Sequence, residues 1–321
     1  MQKKAAIVTL NWNGLELIKN CLSSVYKQTY TNFSVYLTDN GSTDGSVEFI
    51  KKNYPQIDFK ELGRNTGFAK ASNEGIRLAL SDPDVEYIVC LNNDTIVDPQ
   101  WLQALIDQVD YEKKIDMVAS LALFEDGNVQ SAGLFFDKNL MGAKVGGLSR
   151  GYGENPSLHA QVKEVFAPSA GACLYTRRML EDVGLFDEDF FIYDEDFDLG
   201  LRAKNKGYRC VFTPFSKLIH LHSRSTGGAA SPFKAFLAKR NAYFVAIKNF
   251  GIIDLILFPF RDIIWNIKSL FPDNKGKNTS TKQLINRIGF ARLILLMIKM
   301  YAQVLWYFPK MLIKRFKAQK F

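Results

Sequence analysis

The sequence predicts an α/β fold in which a mixed, mainly parallel sheet is flanked by helices and followed by a C-terminal amphipathic helical extension. Three observations carry this prediction. Short apolar runs alternate with segments of helical periodicity from Ala5 to Leu91, polar loops containing glycine fall at the ends of those runs, and residues 261–321 turn basic and apolar together.

The run Ala5–Leu10 reads as a buried strand. It is closed by Asn11-Trp12-Asn13-Gly14 too early for a signal sequence, so the folded part is expected in the cytoplasm. Leu15, Leu17, Ile18, Leu22 and Val25 then repeat at helical spacing, and Phe33–Leu37 forms a second strand. Val47, Phe49 and Ile50 mark a second helix, a third strand ends near Leu62, a helix covers 68–80, and Tyr87–Leu91 is the next strand. Strand, loop and helix in this rhythm build βαβ units, whose ligands lie at the carboxyl ends of the strands. From about residue 115 to 230 the strands shorten and glycine turns multiply around one helix, Glu195–Lys206, closed by Gly207. Residues 273–283 are polar and read as a linker. The expected division is a domain over 1–244 and a basic helical region over 245–321.

With 47% hydrophobic residues the chain is not disordered. Its net charge of +8 is uneven: residues 261–321 hold 13 Lys/Arg against Asp262 and Asp273 alone, so the rest is slightly acidic. Cys21, Cys90, Cys173 and Cys210 are scattered, which suggests neither a zinc site nor a disulfide framework and leaves them as reduced core residues.

Five polar blocks carry candidate chemistry. Asp39-Asn40-Gly41-Ser42-Thr43-Asp44-Gly45 follows a strand and precedes a helix. Its carboxylates suit ribose hydroxyls or a base imide, although Asx-turns and helix caps use the same residues. Gly63-Arg64-Asn65-Thr66-Gly67-Phe68-Ala69-Lys70 opens a helix bearing Asn73, and its cations serve either a diphosphate or plain surface solvation. Asn92-Asn93-Asp94 ends an apolar strand. There a carboxylate, with an amide oxygen two residues earlier on the same side, suits a hard divalent cation bridging phosphates; a side-chain-stabilised turn is the alternative. Tyr193-Asp194-Glu195-Asp196-Phe197-Asp198 packs four carboxylates beneath Phe190 and Phe191. Such a density fits a site wall holding a general base, or simple capping of a helix. Finally, His220 and His222 alternate with Ile219 and Leu221, as one face of a strand would, and either imidazole can complete a metal site.

Taken together and in this order, these blocks resemble the family 2 glycosyltransferases, particularly rhamnosyltransferase-like members with the Rossmann-like GT-A fold. The resemblance runs from Ala5 to Gly228. It implies a metal-dependent inverting hexosyltransferase using Mg2+ or Mn2+, with a nucleoside-diphosphate sugar as donor and rhamnose as a candidate sugar. The implied acceptor is a saccharide or lipid-linked saccharide in cell-surface polysaccharide synthesis. The opening segment with Asn11 and Asn13, then Asp39, Ser42, Asp44, Arg64, Asn65, Gly67, Asn73, Asn92, Asn93 and Asp94, falls on the nucleotide-sugar side. Gly171, Ala172, Tyr193, Glu195 and Asp198 fall on the acceptor side, with Asp196 as base. Asp94 and His220 are the implied metal ligands, with Asn92, standing where the family has the first Asp of Asp-x-Asp, as a further contributor. The rival readings are a catalytically silent nucleotide-sugar-binding module and a basic nucleic-acid-binding protein. The second is disfavoured because the tail's charges are interleaved with Leu, Ile, Phe and Trp.

The tail predicts docking on an anionic membrane surface, at the inner face of the cell membrane. Arg292 and Lys299 interrupt Ile285–Ile313 too deeply for a span, and with Gln303, Lys310, Lys314 and Lys317 they fall on one helical stripe. Pro309 is expected to bend or end that helix. A packed hairpin or a homodimer interface is the alternative.

Overall fold

The computed structural model of the chain describes residues 2–136, 148–221, 231–268, 270 and 280–318. They form two compact units, Met1–Phe135 with Gly147–His222, and Phe136–Gly146 with Ser223–Phe321.

The first unit opens with β1 (Lys4–Asn11), α1 (Leu15–Val25), β2 (Phe33–Asp39), α2 (Ser46–Asn53), β3 (Asp58–Glu61), α3 (Phe68–Leu80) and β4 (Val85–Asn92). It continues with β5 (Thr95–Val97), α4 (Trp101–Ile106), β6 (Ile115–Leu123), β7 (Val129–Ser131), β8 (Leu134–Phe135) and β9 (Leu148–Ser149). β10 (Lys163–Val165), β11 (Ala172–Thr176), α5 (Arg177–Val183), α6 (Glu195–Asn205) and β12 (Arg209–His220) complete it. The main sheet runs β10-β12-β6-β11-β4-β1-β2-β3, with β5 paired to β12 and β7 to β6.

Alternation along the central strands fills two cores. Ala6 and Val8 of β1 and Ile88 and Cys90 of β4 join Ala69, Ile76 and Ala79 of α3 on one face. Ala5, Ile7, Val89 and Leu91 join Ile18, Leu22 and Val25 of α1 and Trp101, Leu102 and Leu105 of α4 on the other. Both faces being covered explains why these strands read as continuous apolar runs rather than as alternating ones. Each fully buried Ile or Leu contributes ~1.5–3 kcal/mol, so Ile7→Ala would cost ~2–5 kcal/mol once its cavity is counted.

Strand direction positions the site. β1, β2 and β4 are parallel, and their register sets Asn11 against Asp39 and Leu10 against Asn92. β11 is antiparallel to β4, with Ala172 opposite Leu91, so its beginning reaches the edge where β4 ends. β12 meets β5 with His220 opposite Thr95.

The second unit holds α7 (Pro232–Asn249), α8 (Ile252–Lys268), α9 (Ser280–Ile288) and α10 (Phe290–Ala318). Ser231 caps α7 by accepting from the Lys234 N–H, with Pro232 in the first turn. The sequence-derived boundary at 244/245 lies inside this helix, whereas the compact units separate after His222. Leu293, Met300, Val304, Met311 and Arg315 form the buried stripe of α10. Asp262, 1% exposed, pairs with Lys239 and accepts from the Tyr243 and Tyr301 hydroxyls at 3.0 and 3.2 Å, tying α7, α8 and α10 together.

Two expectations for the tail change, for the single helix and the linker, and a third, that Pro309 bends or ends its helix, is narrowed. The single helix expected over Ile285–Ile313 is broken at Gly289, whose φ of 83° no helical residue adopts. Pro309 does not end α10, which continues to Ala318; the ring removes one intrahelical hydrogen bond while the turns on either side remain. The end of the expected 273–283 linker is helical from Ser280, and its earlier residues lie outside the described ones.

Candidate active site

Asn11 is the tie-point of the loops that follow β1, β2 and β4. It is fully buried at the end of β1, and its Nδ2 lies 3.1 Å from Asp39 Oδ2, 3.2 Å from Ser42 Oγ and 2.9 Å from Ser46 Oγ. Its Oδ1 accepts from Asn93 Nδ2 at 2.8 Å, which joins the ends of β1, β2 and β4. Asp39 accepts from the Gly41 and Ser42 N–H groups at 3.0 and 2.8 Å through Oδ1, and from the Ser42 hydroxyl at 2.6 Å through Oδ2. With Asn11 these donors occupy all four acceptor positions of the carboxylate. An Asx-turn is present in this loop, and a ligand reaching Asp39 would share or displace one of these donors.

Asn13, at φ 49°, donates its N–H to Ser42 Oγ at 2.9 Å and accepts from the Thr43 N–H at 2.8 Å. Asp44 accepts from the Leu15 N–H at 2.8 Å and from the Ser46 hydroxyl at 2.6 Å. Burial pushes the Asp44 carboxyl up, but these donors together outweigh it and hold the group below the usual carboxylate range.

The second loop is joined to the first by Asn40, which the sequence reading did not single out as a site residue. Its Oδ1 accepts from the Thr66 N–H and hydroxyl at 2.8 and 3.0 Å, and its Nδ2 donates to Asn65 Oδ1 at 3.1 Å. Asn65 Oδ1 also accepts from the Gly67 N–H at 2.9 Å. Gly67 has φ 86°, and a Cβ there would stand 2.5 Å from the Phe191 ring. The Ala69 N–H donates to the Phe191 carbonyl at 3.0 Å, so this loop abuts the segment that leads into the acidic cluster. Arg64 is exposed and Lys70 half-buried, and neither forms an ion pair among the described residues.

At the end of β4, Asp94 is 5% exposed and its Oδ1 lies 2.8 Å from His220 Nε2. The Leu221 N–H donates to the Asp94 carbonyl at 2.8 Å, fixing β12 against this turn. Asn92 is half-buried beside Gly171, where a Cβ would stand 3.1 Å from the Asn92 Nδ2. Adjacent ligands of an octahedral ion with bonds of about 2.1 Å stand about 3 Å apart, so the Asp94–His220 separation is compatible with both side chains as neighbouring ligands of one divalent ion lying to the side of the line that joins them. A carboxylate with an imidazole is an acceptable donor set for Mn2+ or Mg2+. Among the described residues no group of three or more His, Cys, Asp or Glu side chains could hold a metal ion, so any ion held here would need phosphate, water or amide oxygens to complete its shell. His222 and Arg224 lie outside the described residues.

The acidic cluster is built differently. Phe191, Tyr193 and Asp194 have φ of 67°, 75° and 65°, a run of backbone strain of the kind that collects at functional sites. Glu195 is 5% exposed, and its Oε2, like Asp194 Oδ2, is buried without a hydrogen-bond partner among the described residues. Burial first, and the charge of Asp196 second, push both carboxyls well up. Asp196 is also pushed up by burial, but it accepts from the Ala170 N–H at 3.1 Å and the Phe197 N–H at 2.8 Å, which favour its charged form. Asp196 is thus the member best equipped to stay ionised while its neighbours keep their protons. Ala170 is followed by Gly171, whose carbonyl accepts from the Asn92 N–H at 2.8 Å, so Asp196 is linked through three residues to the end of β4.

Two predicted residues are committed elsewhere. Asn73 holds the Phe186 carbonyl and N–H at 2.8 and 3.1 Å, anchoring the approach to the acidic cluster on α3. Asp198 is fully buried against Arg202, which also donates to the Val183 and Leu185 carbonyls. Ala172 is the first residue of β11 and is itself buried. Gln130, also absent from the sequence reading, has its Oε1 2.6 Å from His220 Nδ1.

A strand-end polar site on a sheet of this order defines a GT-A type α/β fold, and solved structures agree. Over 99% of this chain and 85% of the other, the chain resembles the mannosyltransferase PcManGT from Pyrobaculum calidifontis in complex with GDP-Man and Mn2+, at a TM-score of 0.55 and 15% identity. GalNAc-T7 with UDP, GalNAc and Mn2+ gives a TM-score of 0.55 at 17% identity, over 89% of this chain and 56% of that one. The model of glycosyl transferase family 2 matches residues 6–184, and the chain belongs to that family. Among its relatives is the N-acetylglucosaminyl-diphospho-decaprenol L-rhamnosyltransferase of Mycobacterium tuberculosis, 28% identical over 76% of this chain and 85% of the relative. The poly-beta-1,6-N-acetyl-D-glucosamine synthase of Staphylococcus aureus is 26% identical over 68% of this chain and 50% of the relative.

Proposed function

We propose that the chain is a metal-dependent, inverting glycosyltransferase that moves a sugar, with rhamnose the leading candidate, from a nucleoside diphosphate to a lipid-linked saccharide. The observation that carries this reading is the placement of the Asp94–His220 pair and Asp196 around one sheet edge, linked through Asn92, Gly171 and Ala170. The names of the mycobacterial relative and of the Mn2+ complexes support the donor, the acceptor class and the ion.

In this mechanism Asp196 accepts the proton of the acceptor hydroxyl while that oxygen attacks the anomeric carbon and the bond to the diphosphate oxygen breaks. One displacement inverts the centre. General-base assistance of this kind is worth about 10²–10⁴-fold, and holding both reactants in line adds more. Asp94, His220 and Asn92 would hold the divalent ion, which when bound neutralises the departing diphosphate. Arg64 and Lys70 are available to the same negative charge. Asp194 and Glu195, whose carboxyls burial and the Asp196 charge push up, would tune the field at Asp196. Turnover of a panel of nucleotide sugars with a polyprenyl-diphosphate saccharide tests this. Transfer from a deoxythymidine-diphosphate rhamnose donor is expected, and binding of donors without any turnover would reduce the chain to a silent binding module.

We also infer that the second unit docks on an anionic membrane surface at the cytoplasmic face. α8 exposes Ile252, Ile253, Ile256, Phe260, Ile263 and Ile264, and α10 exposes Leu295, Ile298, Leu305 and Trp306, the last at 83%. Phe290–Phe316 is long and apolar enough to cross a membrane by length and composition, with 17% of its apolar window buried. Arg292, Lys299 and Lys310 are exposed on the same helix, which favours an orientation in the interface with cations toward headgroups. Flotation of the full chain with phosphatidylglycerol vesicles at low salt is expected, and Leu305→Glu with Trp306→Glu should weaken it. A full chain that stays in the soluble fraction overturns the docking.

A further inference from the structure

We propose that Gln130 is a positioning residue that holds the His220 imidazole with its proton on Nδ1 and so presents the Nε2 lone pair to the ion shared with Asp94. This rests on the reading of Asp94 and His220 as the metal-holding pair.

Topology brings the three side chains together from distant parts of the chain. Gln130 lies in β7, which pairs with β6 through Ala122 opposite Ser131 and Leu123 opposite Val129. β6 in turn carries Leu123 opposite Ile219 of β12, one residue before His220. The imidazole therefore lies between the Gln130 amide and the Asp94 carboxylate, with Nδ1 2.6 Å from Gln130 Oε1 and Nε2 2.8 Å from Asp94 Oδ1. Gln130 is 9% exposed and Asp94 5%, while His220 between them is half-buried.

The amide oxygen accepts and does not donate, so Nδ1 must carry the proton in this geometry. In an imidazolium ion Nε2–H then donates to Asp94 and the three side chains satisfy one another; in a neutral imidazole Nε2 is bare and faces a carboxylate oxygen. A divalent ion selects the neutral form, because it takes the Nε2 lone pair and a carboxylate oxygen as neighbouring ligands and so removes their repulsion. A hydrogen bond on the far nitrogen of a ligating imidazole also fixes the ring's rotation and raises its basicity, and loss of such a partner costs about 10–100-fold in metal affinity. The opposite amide orientation would have the Gln130 NH2 donate to a bare Nδ1 and the Nε2–H donate to Asp94, a satisfied pair with no place for an ion.

The test uses the full chain with uridine diphosphate. Mn2+ binding is followed by electron paramagnetic resonance, and the His220 ring nitrogens by long-range 1H–15N correlation with Mg2+ in place of Mn2+. The proposal expects a protonated Nδ1 and an unprotonated Nε2. Gln130→Met should raise the Mn2+ dissociation constant about 10–100-fold, and Gln130→Glu, which keeps an acceptor oxygen, should bind within a few-fold of the native chain. A protonated Nε2 with Mg2+ present overturns the proposal. So does a Gln130→Met chain whose Mn2+ affinity is unchanged while its melting temperature falls, because that is the signature of packing alone. If Gln130→Met fails to fold, the nitrogen signals of the native chain and the Gln130→Glu affinity still decide it. Loss of Mn2+ binding in Asp94→Ala but not in His220→Ala would instead remove His220 from the metal site, a separate failure of the underlying reading.

Discussion

The loop after β2 and the segment that opens α6 are both rich in carboxylates and treat them in opposite ways. Asp39 and Asp44 are surrounded by N–H and hydroxyl donors, and Asp44 is held below the usual range. Asp194 and Glu195 have buried oxygens with no such donor and are pushed well up, beside three residues of positive φ. The first arrangement stabilises the fold and shapes a cradle in advance; the second costs stability, which fits a site whose missing partners are supplied by a ligand. Asp196 stands between the two regimes, half-buried and served by two backbone donors.

The sharpest way to break this contrast is Asp196→Asn. Transfer is expected to fall by at least about 10²–10⁴-fold while calorimetric donor binding stays near the native value, because the base acts on the acceptor. Native transfer rates in this variant would remove Asp196 from the mechanism. In the native enzyme the acid limb of kcat/KM should lie above the ordinary aspartate value of about 3.9, since burial raises Asp196 and only its ionised form takes a proton.

A smaller effect sharpens the donor side. Asn11→Ala leaves the Asp39 carboxylate and two hydroxyls short of a buried donor, and a loss of ~2–3 kcal/mol by urea unfolding is expected. A loss below about 0.5 kcal/mol, within the range of an ordinary surface substitution, would mean that the loops do not depend on this tie-point.

The smallest effect concerns Glu195→Gln and has the opposite sign. A carboxyl whose pKa is raised on folding binds its proton more tightly in the folded chain. Its contribution is therefore intact below the unfolded value of about 4.3 and is lost as pH rises through the folded one. The variant should match the native chain near pH 4 and gain on it as pH rises, by ~2–4 °C in melting temperature, the shift produced by about 1 kcal/mol in a domain of this size. A pH-independent difference would show that Glu195 is not held protonated.

The parallel half of the sheet was legible because its strands are buried on both faces and its loops fall at strand ends, as with Asn11, Asp39 and Asn92. The alternation around Ile219 and Leu221 marked His220 and His222 alike and only the family resemblance chose His220, which the structure sets against Asp94. Asn40 and Gln130 were not, because a lone amide in a loop or short strand looks like any solvated residue until its partner, 26 or 90 positions away, is in place. The donors to Asp196 come partly from the Ala170 backbone, which no side-chain pattern encodes. Asn73 and Asp198 sit in the right motifs, yet their partners are a carbonyl of a distant loop and a neighbouring arginine. In the tail, hydropathy marked the apolar stretch but not the break at Gly289, since one glycine barely changes a helical pattern.

Metal-assisted inverting transfer is tested most directly by proton NMR of the product formed from an anomerically pure nucleotide sugar with Mn2+ and with excess EDTA. A product of inverted anomeric configuration is expected with Mn2+ and none with EDTA. Full turnover in EDTA, or a product that retains the donor's configuration, would contradict it.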